Sequence, residues 1–164
     1  MEKTLEIIRR DPWLEPYEKA IKGRHEDAAR KEAELAGDNG SLVDFANAHK
    51  YFGLHKVRNG WVFREWAPHA TGITLIGTFS DWKECDRYRL TRINDFGVWE
   101  LKLPKDALKH GDLYKLMMHW EGGCGERIPA YCTRTVQDPE TAIFSAQVWA
   151  PARKYSFKVK DFRP

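Results

Sequence analysis

Hydrophobic and polar positions change their spacing once along the chain. Up to about residue 48 the pattern is helical. Leu5 to Arg10 reads as a short first helix that Thr4 can cap. Asp11-Pro12 and Glu15-Pro16 each put a proline at a first-turn position. A long helix is predicted from Pro16 to Ala36, with Gly37 as its stop. Its apolar residues are sparse (Tyr17, Ala20, Ile21, Ala28, Leu35), and Lys22-Gly23-Arg24-His25-Glu26-Asp27 is polar nearly all round. A helix this polar leans on a neighbour through a narrow stripe, and one candidate neighbour is a further part of the protein. Asp38-Asn39-Gly40 is a turn, and Ser41 then caps a helix that ends near Ala48.

From Gly53 the period becomes two. Strands are predicted over 54–57, 61–66, 73–77, 89–93, 98–103, 113–120, 132–136 and 144–149. Arg58-Asn59-Gly60 carries Asn-Gly, a strong hairpin signal. Asn94-Asp95-Phe96-Gly97 and Gly122-Gly123 mark two further turns. Seven or eight short strands at turn-separated spacing imply a mainly β chain: an immunoglobulin-like β-sandwich preceded by an α-helical segment. The expected division is 1–50 helical, 51–152 sandwich and 153–164 connector. In the tail, Tyr155, Phe157 and Val159 alternate with polar residues, so it reads as a strand or extended connector. It carries Arg153, Lys154, Lys158, Lys160 and Arg163 against Asp161 and ends with no stop signal, so more protein is expected beyond it.

Composition narrows the function. With 42% hydrophobic and 31% charged residues among 164, the chain is an ordinary soluble type. A net charge of +3 gives nucleic-acid binding no support. Nothing approaches the ~18 consecutive apolar residues of a membrane span. No signal peptide is visible, so a cytoplasmic setting is expected. Cys85, Cys124 and Cys132 form no C-x-x-C, which argues for reduced thiols and neither a metal nor a cofactor. No nucleophile elbow, phosphate loop or His-x-x-x-His is present, and the six His are scattered, so binding is favoured over catalysis.

The binding case rests on aromatics near turns: Trp66, Trp82, Phe96, Trp120 and Tyr131. Trp61, Phe63 and Trp99 alternate with polar residues and are expected in the core. Trp66 is balanced between core and surface, while Trp82 follows a polar turn and is expected to be exposed. Lys115, inside an apolar strand, is either a solvent-face residue or a donor to sugar hydroxyls.

Glu65-Trp66-Ala67-Pro68, Gly77-Thr78-Phe79-Ser80-Asp81-Trp82 and Asp95-Phe96-Gly97-Val98-Trp99-Glu100-Leu101 resemble the N-terminal region of 1,4-α-glucan (glycogen) branching enzymes. Asp11-Pro12-Trp13-Leu14-Glu15-Pro16-Tyr17 and the segment Phe45 to His55 extend the resemblance upstream. It implies a helical segment followed by a family 48 carbohydrate-binding module. In that family a catalytic (β/α)₈ barrel of the α-amylase superfamily (glycoside hydrolase family 13) follows. The chain itself is then expected to be non-catalytic, and its parent to be a glycosyltransferase that moves α-1,4-glucan segments into α-1,6 branches.

The resemblance also implies site residues. The glucan groove would use Trp66 and Pro68, the turn Asp95, Phe96 and Gly97 with Val98 where a lysine can stand, and Asn39 and Gly40 after the long helix. Related modules of kinase β-subunits bind glycogen on another face, matching Trp82 and Lys115; their second tryptophan has only approximate counterparts in Trp120 and Tyr131. The implied partners are glycogen or maltooligosaccharides and the intramolecular barrel. The alternative is a structural module that docks on the barrel and binds no sugar alone.

Overall fold

The structure, a computed structural model, describes residues 6–37, 40–153, 155, 156, 158 and 159. The chain divides into two compact units, Met1–Ala48 and His49–Pro164. Thr4, Leu5 and the turn residues Asp38 and Asn39 lie outside the described residues.

The first unit is helical. Helix α1 covers Glu6–Arg10. A 3₁₀ segment follows at Pro12–Tyr17, capped by the Asp11 carboxylate, which accepts the Trp13 N–H at 3.1 Å. Pro16 falls inside this segment, and α2 starts after it, spanning Glu18–Ala36. Gly37 ends α2 with φ 69°, a conformation that suits a residue without Cβ. No residue of α2 is buried. Helix α3, Leu42–Phe45, opens with a reciprocal Ser41–Asp44 capping box. It stops short of the expected Ala48: Ala46 leaves helical geometry at ψ 46°, and the Asn47 side chain donates to the Asp44 carbonyl.

The second unit is a sandwich of two antiparallel sheets. Its strands are β1 (Gly53–Val57), β2 (Gly60–Trp66), β3 (Ala70–Gly77), β4 (Thr91–Arg92), β5 (Val98–Pro104), β6 (Leu113–Trp120), β7 (Gly123–Arg127), β8 (Thr135–Gln137) and β9 (Phe144–Gln147). One sheet runs β1-β2-β5-β4 and the other β3-β6-β9-β8, with β7 also on β6. The period-two pattern becomes the core directly. Trp61 and Phe63 stand opposite Leu103 and Leu101 and face inward. Ile73 and Leu75 of β3, and Tyr114 and Leu116 of β6, answer from the other sheet. Phe63 and Tyr114 meet edge to face at 6.4 Å between ring centroids, joining the two layers.

Three expected strands contract. The strand expected over 89–93 is a strand only at Thr91–Arg92, with Arg89 forming an isolated bridge to Thr74; that over 132–136 moves to Thr135–Gln137, and that over 144–149 ends at Gln147. Strand β7 is not predicted at all, because Gly123-Cys124-Gly125-Glu126-Arg127 lacks hydrophobic alternation; pairing with β6 makes it a strand. The described tail residues form no strand.

Candidate functional site

Trp66 ends β2, and register decides its side. Glu65 lies opposite Trp99 on the core face, so Trp66, opposite Val98, points outward. Trp66 is 59% exposed, and Phe96 in the turn over 94–97 is 82% exposed. Hydrogen bonds hold the Trp66 ring and the backbone of the turn that carries Phe96. Trp66 Nε1 donates to the Phe96 carbonyl at 2.8 Å. The Ala67 N–H donates to the Gly97 carbonyl at 2.8 Å, and Trp99 Nε1 to the Ala67 carbonyl at 2.9 Å. Within the turn, Asn94 Oδ1 accepts the Val98 N–H at 3.1 Å, and Arg92 Nη2 donates to the Asp95 carbonyl at 3.3 Å.

Gly97 locks the turn against the Trp-x-Pro element. Its φ is +86°, and a Cβ there would lie 2.3 Å from Pro68 Cα. Trp66, Pro68, Asp95, Phe96 and Gly97 are therefore brought together, with Asp95 exposed. Val98 lies opposite Trp66 in the register and is 8% exposed, so little of it is open to a ligand. Asn39 lies outside the described residues, and Gly40 belongs to the helical unit, where a Cβ would meet the Ala36 carbonyl.

Behind the platform is a residue that pattern reading passed over. Glu65 is buried; its carboxylate accepts the Trp66 N–H at 3.1 Å and the Ala130 N–H at 3.4 Å. Burial pushes its carboxyl above the usual range, and those two N–H groups oppose the shift. A carboxylate at a core-parity position in an alternating strand was the available signal.

Trp82 and Lys115 form a second, separate face. Asp81 and Trp82 both have left-handed backbone, φ 57° and 58°, and the Trp82 N–H is tied to the Gly77 carbonyl at 2.9 Å. Lys115 Nζ sits 5.8 Å from the Trp82 ring centroid and pairs with Glu126 at 2.7 Å. A cavity of about 360 Å³ opens here, lined also by Gln137, Asp138 and Thr141. Neither approximate counterpart of a second tryptophan joins this cavity. Tyr131 stacks on Phe52 at 5.6 Å, and Trp120 lies at the opposite end of β6.

Between the faces, Glu84 accepts from Thr74 Oγ1 at 2.8 Å and pairs with His119 at 2.9 Å. Partial burial works against its charge, but the bonds from His119 and Thr74 and the charge of Arg89 outweigh it and hold its carboxyl below the usual range. Among the described residues no three His, Cys, Asp or Glu side chains converge to hold a metal. No described helix is long and apolar enough to cross a membrane.

The profile of carbohydrate-binding module 48 (isoamylase N-terminal domain) matches residues 51–139. The chain belongs to the carbohydrate-binding module 48 family. The match covers most of the sandwich, including Trp66, Trp82, the Asp95–Gly97 turn and Lys115. Together with the helical unit, the module is similar to the N-terminal region of 1,4-alpha-glucan-branching enzymes. That of Dictyostelium discoideum is 34% identical over 161 residues, covering 94% of this chain and 24% of the relative. That of Rhizophagus irregularis is 36% identical over 160 residues, covering 93% and 23%. The chain thus spans about a quarter of the length of the curated relatives it matches, and its described residues contain no catalytic barrel. A pullulanase type I from Bacillus subtilis, solved with maltose, shares the module's fold at TM-score 0.50 and 20% identity, over 79% of this chain and 16% of that one.

Proposed function

We propose that this chain binds α-1,4-glucan, as glycogen or maltooligosaccharide, on the Trp66–Phe96 platform. The observation that carries the reading is the exposed Trp66 ring, fixed by its Nε1 bond to the Phe96 carbonyl, beside a turn that presents the exposed Phe96. A glucose ring presents a flat C–H face, and a ring already fixed in place stacks on it with little ordering cost. Asp95 stands beside the platform, exposed and suited to accept from sugar hydroxyls. An open platform suits a polymer, and its affinity is expected to be modest because little area is buried.

The whole protein is proposed to act in the cytoplasm as a branching enzyme, cutting α-1,4 linkages and rejoining the pieces as α-1,6 branches. Its chemistry would lie in a barrel outside this chain. A second reading, docking on that barrel without sugar affinity, draws on α2, none of whose residues is buried.

Native electrophoresis through gels containing glycogen separates the two. Retardation of the chain, relieved in Trp66→Ala and kept in Trp82→Ala, is expected. Free migration of the wild type at every glycogen concentration would leave docking as the reading.

A further inference from the structure

A second cavity, of about 340 Å³, opens at the end of the sandwich away from Trp82. That volume is at the lower end of the roughly 300–1,000 Å³ range of ligand sites. It is lined by Trp66 and Pro68, from the end of β2 and the loop after it, and by Trp120 and Arg127, from β6 and β7. Register explains the placement. Tyr114, Leu116, Met118 and Trp120 share one face of β6, the inner one, whereas Lys115 is on the other. Lys115 pairs with Ile76, and Trp120 pairs with Ala70 at the far end of β3, roughly 17 Å along the strand. Trp120 is therefore the last inner-face residue of β6 and emerges at the sandwich rim, beside the loop that carries Pro68.

The Trp120 ring is seated on strand β7. Strand β7 passes under it through two glycines. A Cβ at Gly123 would meet Trp120 Nε1 at 3.1 Å, and one at Gly125 would meet its Cη2 at 3.3 Å. Arg127, next on the same face of β7, sits 5.4 Å from the ring centroid. Phe96 stands outside this cavity, so Trp66 borders both the exposed turn and the cleft.

We infer that the Trp66–Trp120 cleft is a further glucan subsite, continuous with the Trp66–Phe96 platform, in which Trp120 stacks a second sugar unit and Arg127 donates to its hydroxyls. The inference rests on the glucan-binding reading above. A platform contacts a short stretch of the polymer; a further aromatic in a cleft that also includes Trp66 extends the path along it. Trp120 and Arg127 then determine preference for longer chains, and the Trp82 face plays no part in that path.

The test is a maltoheptaose titration of the chain followed on its indole N–H resonances, with wild type, Trp120→Ala, Trp120→Phe and Trp66→Ala. Trp66 and Trp120 indole signals are expected to shift together. Trp120→Ala should weaken maltoheptaose binding about five- to tenfold, the scale of one aromatic contact, with a smaller loss for maltotriose. Trp120→Phe should keep most of the affinity, which separates lost stacking from a disturbed fold. Loss in Trp66→Ala with an unshifted Trp120 and unchanged affinity in Trp120→Ala would overturn the subsite and leave the platform standing. No wild-type binding at all would overturn the platform reading, and the subsite with it.

Discussion

Substituting Gly97 by alanine tests how the platform is held together, and Gly111→Ala supplies the control. Both glycines have positive φ, +86° and +95°, but a Cβ at Gly111 meets nothing within 4 Å. Alanine at such φ costs about 1–2 kcal/mol. About 0.4–1 kcal/mol of that is offset because alanine stiffens the unfolded chain. Gly111→Ala should therefore cost about 1 kcal/mol. Gly97→Ala carries the same backbone penalty and adds an overlap at 2.3 Å from Pro68 Cα, a backbone atom that can yield only by moving the loop. Displacement of that kind costs about 1–3 kcal/mol, for a total of about 2–4. For a sandwich of this size the Tm should fall by roughly 8–20 °C, against roughly 3–6 °C for Gly111→Ala. Thermal and urea melts followed by circular dichroism read this out. The Trp66 indole N–H signal should also move, because Pro68 cannot shift without disturbing its bond to the Phe96 carbonyl. If Gly97→Ala melted within the error of Gly111→Ala, the turn and the Trp-x-Pro element would not be interlocked.

Other outcomes follow from the same geometry. Phe63→Ala removes a fully buried ring at the junction of the two sheets and should cost about 3–5 kcal/mol in urea unfolding. Lys102, then Arg64, holds the Glu100 carboxyl below the usual range, so its stabilisation is present above the ordinary carboxylate pKa and lost as pH falls through the depressed folded value; Glu100→Gln should be less stable than wild type at neutral pH, with the gap closing in acid. Glu65 carries the opposite sign. Its folded pKa is raised, so stability is fully present below the ordinary value and is lost as pH rises through the raised one; relative to Glu65→Gln, wild-type stability should decline over that rise, measured by urea midpoints across pH.

The two-layer sandwich was legible because β2 and β5 alternate so cleanly that Trp61, Phe63, Trp99 and Leu101 can be assigned to the core by counting. Counting places Trp66 on the face opposite Trp61 and Phe63 but does not give how far it is exposed: Val98, its partner on that face, is buried, whereas Trp66 at the strand end is open. Val98 was carried over from a resemblance at a position where burial now removes its side chain from the surface. Strand β7 left no hydrophobic trace, since its glycines serve the Trp120 ring. Parity along Tyr114 and Leu116 already separates Trp120 from Lys115, but what shares the cleft with it is the last residue of β2, Trp66, and the loop residue Pro68, and a loop carries no period from which to read contact.

Calorimetric titration with maltoheptaose, comparing wild type with Trp66→Ala, Phe96→Ala and Trp82→Ala, tests the central claim most directly. Saturable, modest binding by wild type and by Trp82→Ala, weakened at least about tenfold in both platform variants, is the expected result. Wild-type binding that survives loss of Trp66 and Phe96, or that disappears only in Trp82→Ala, would contradict it.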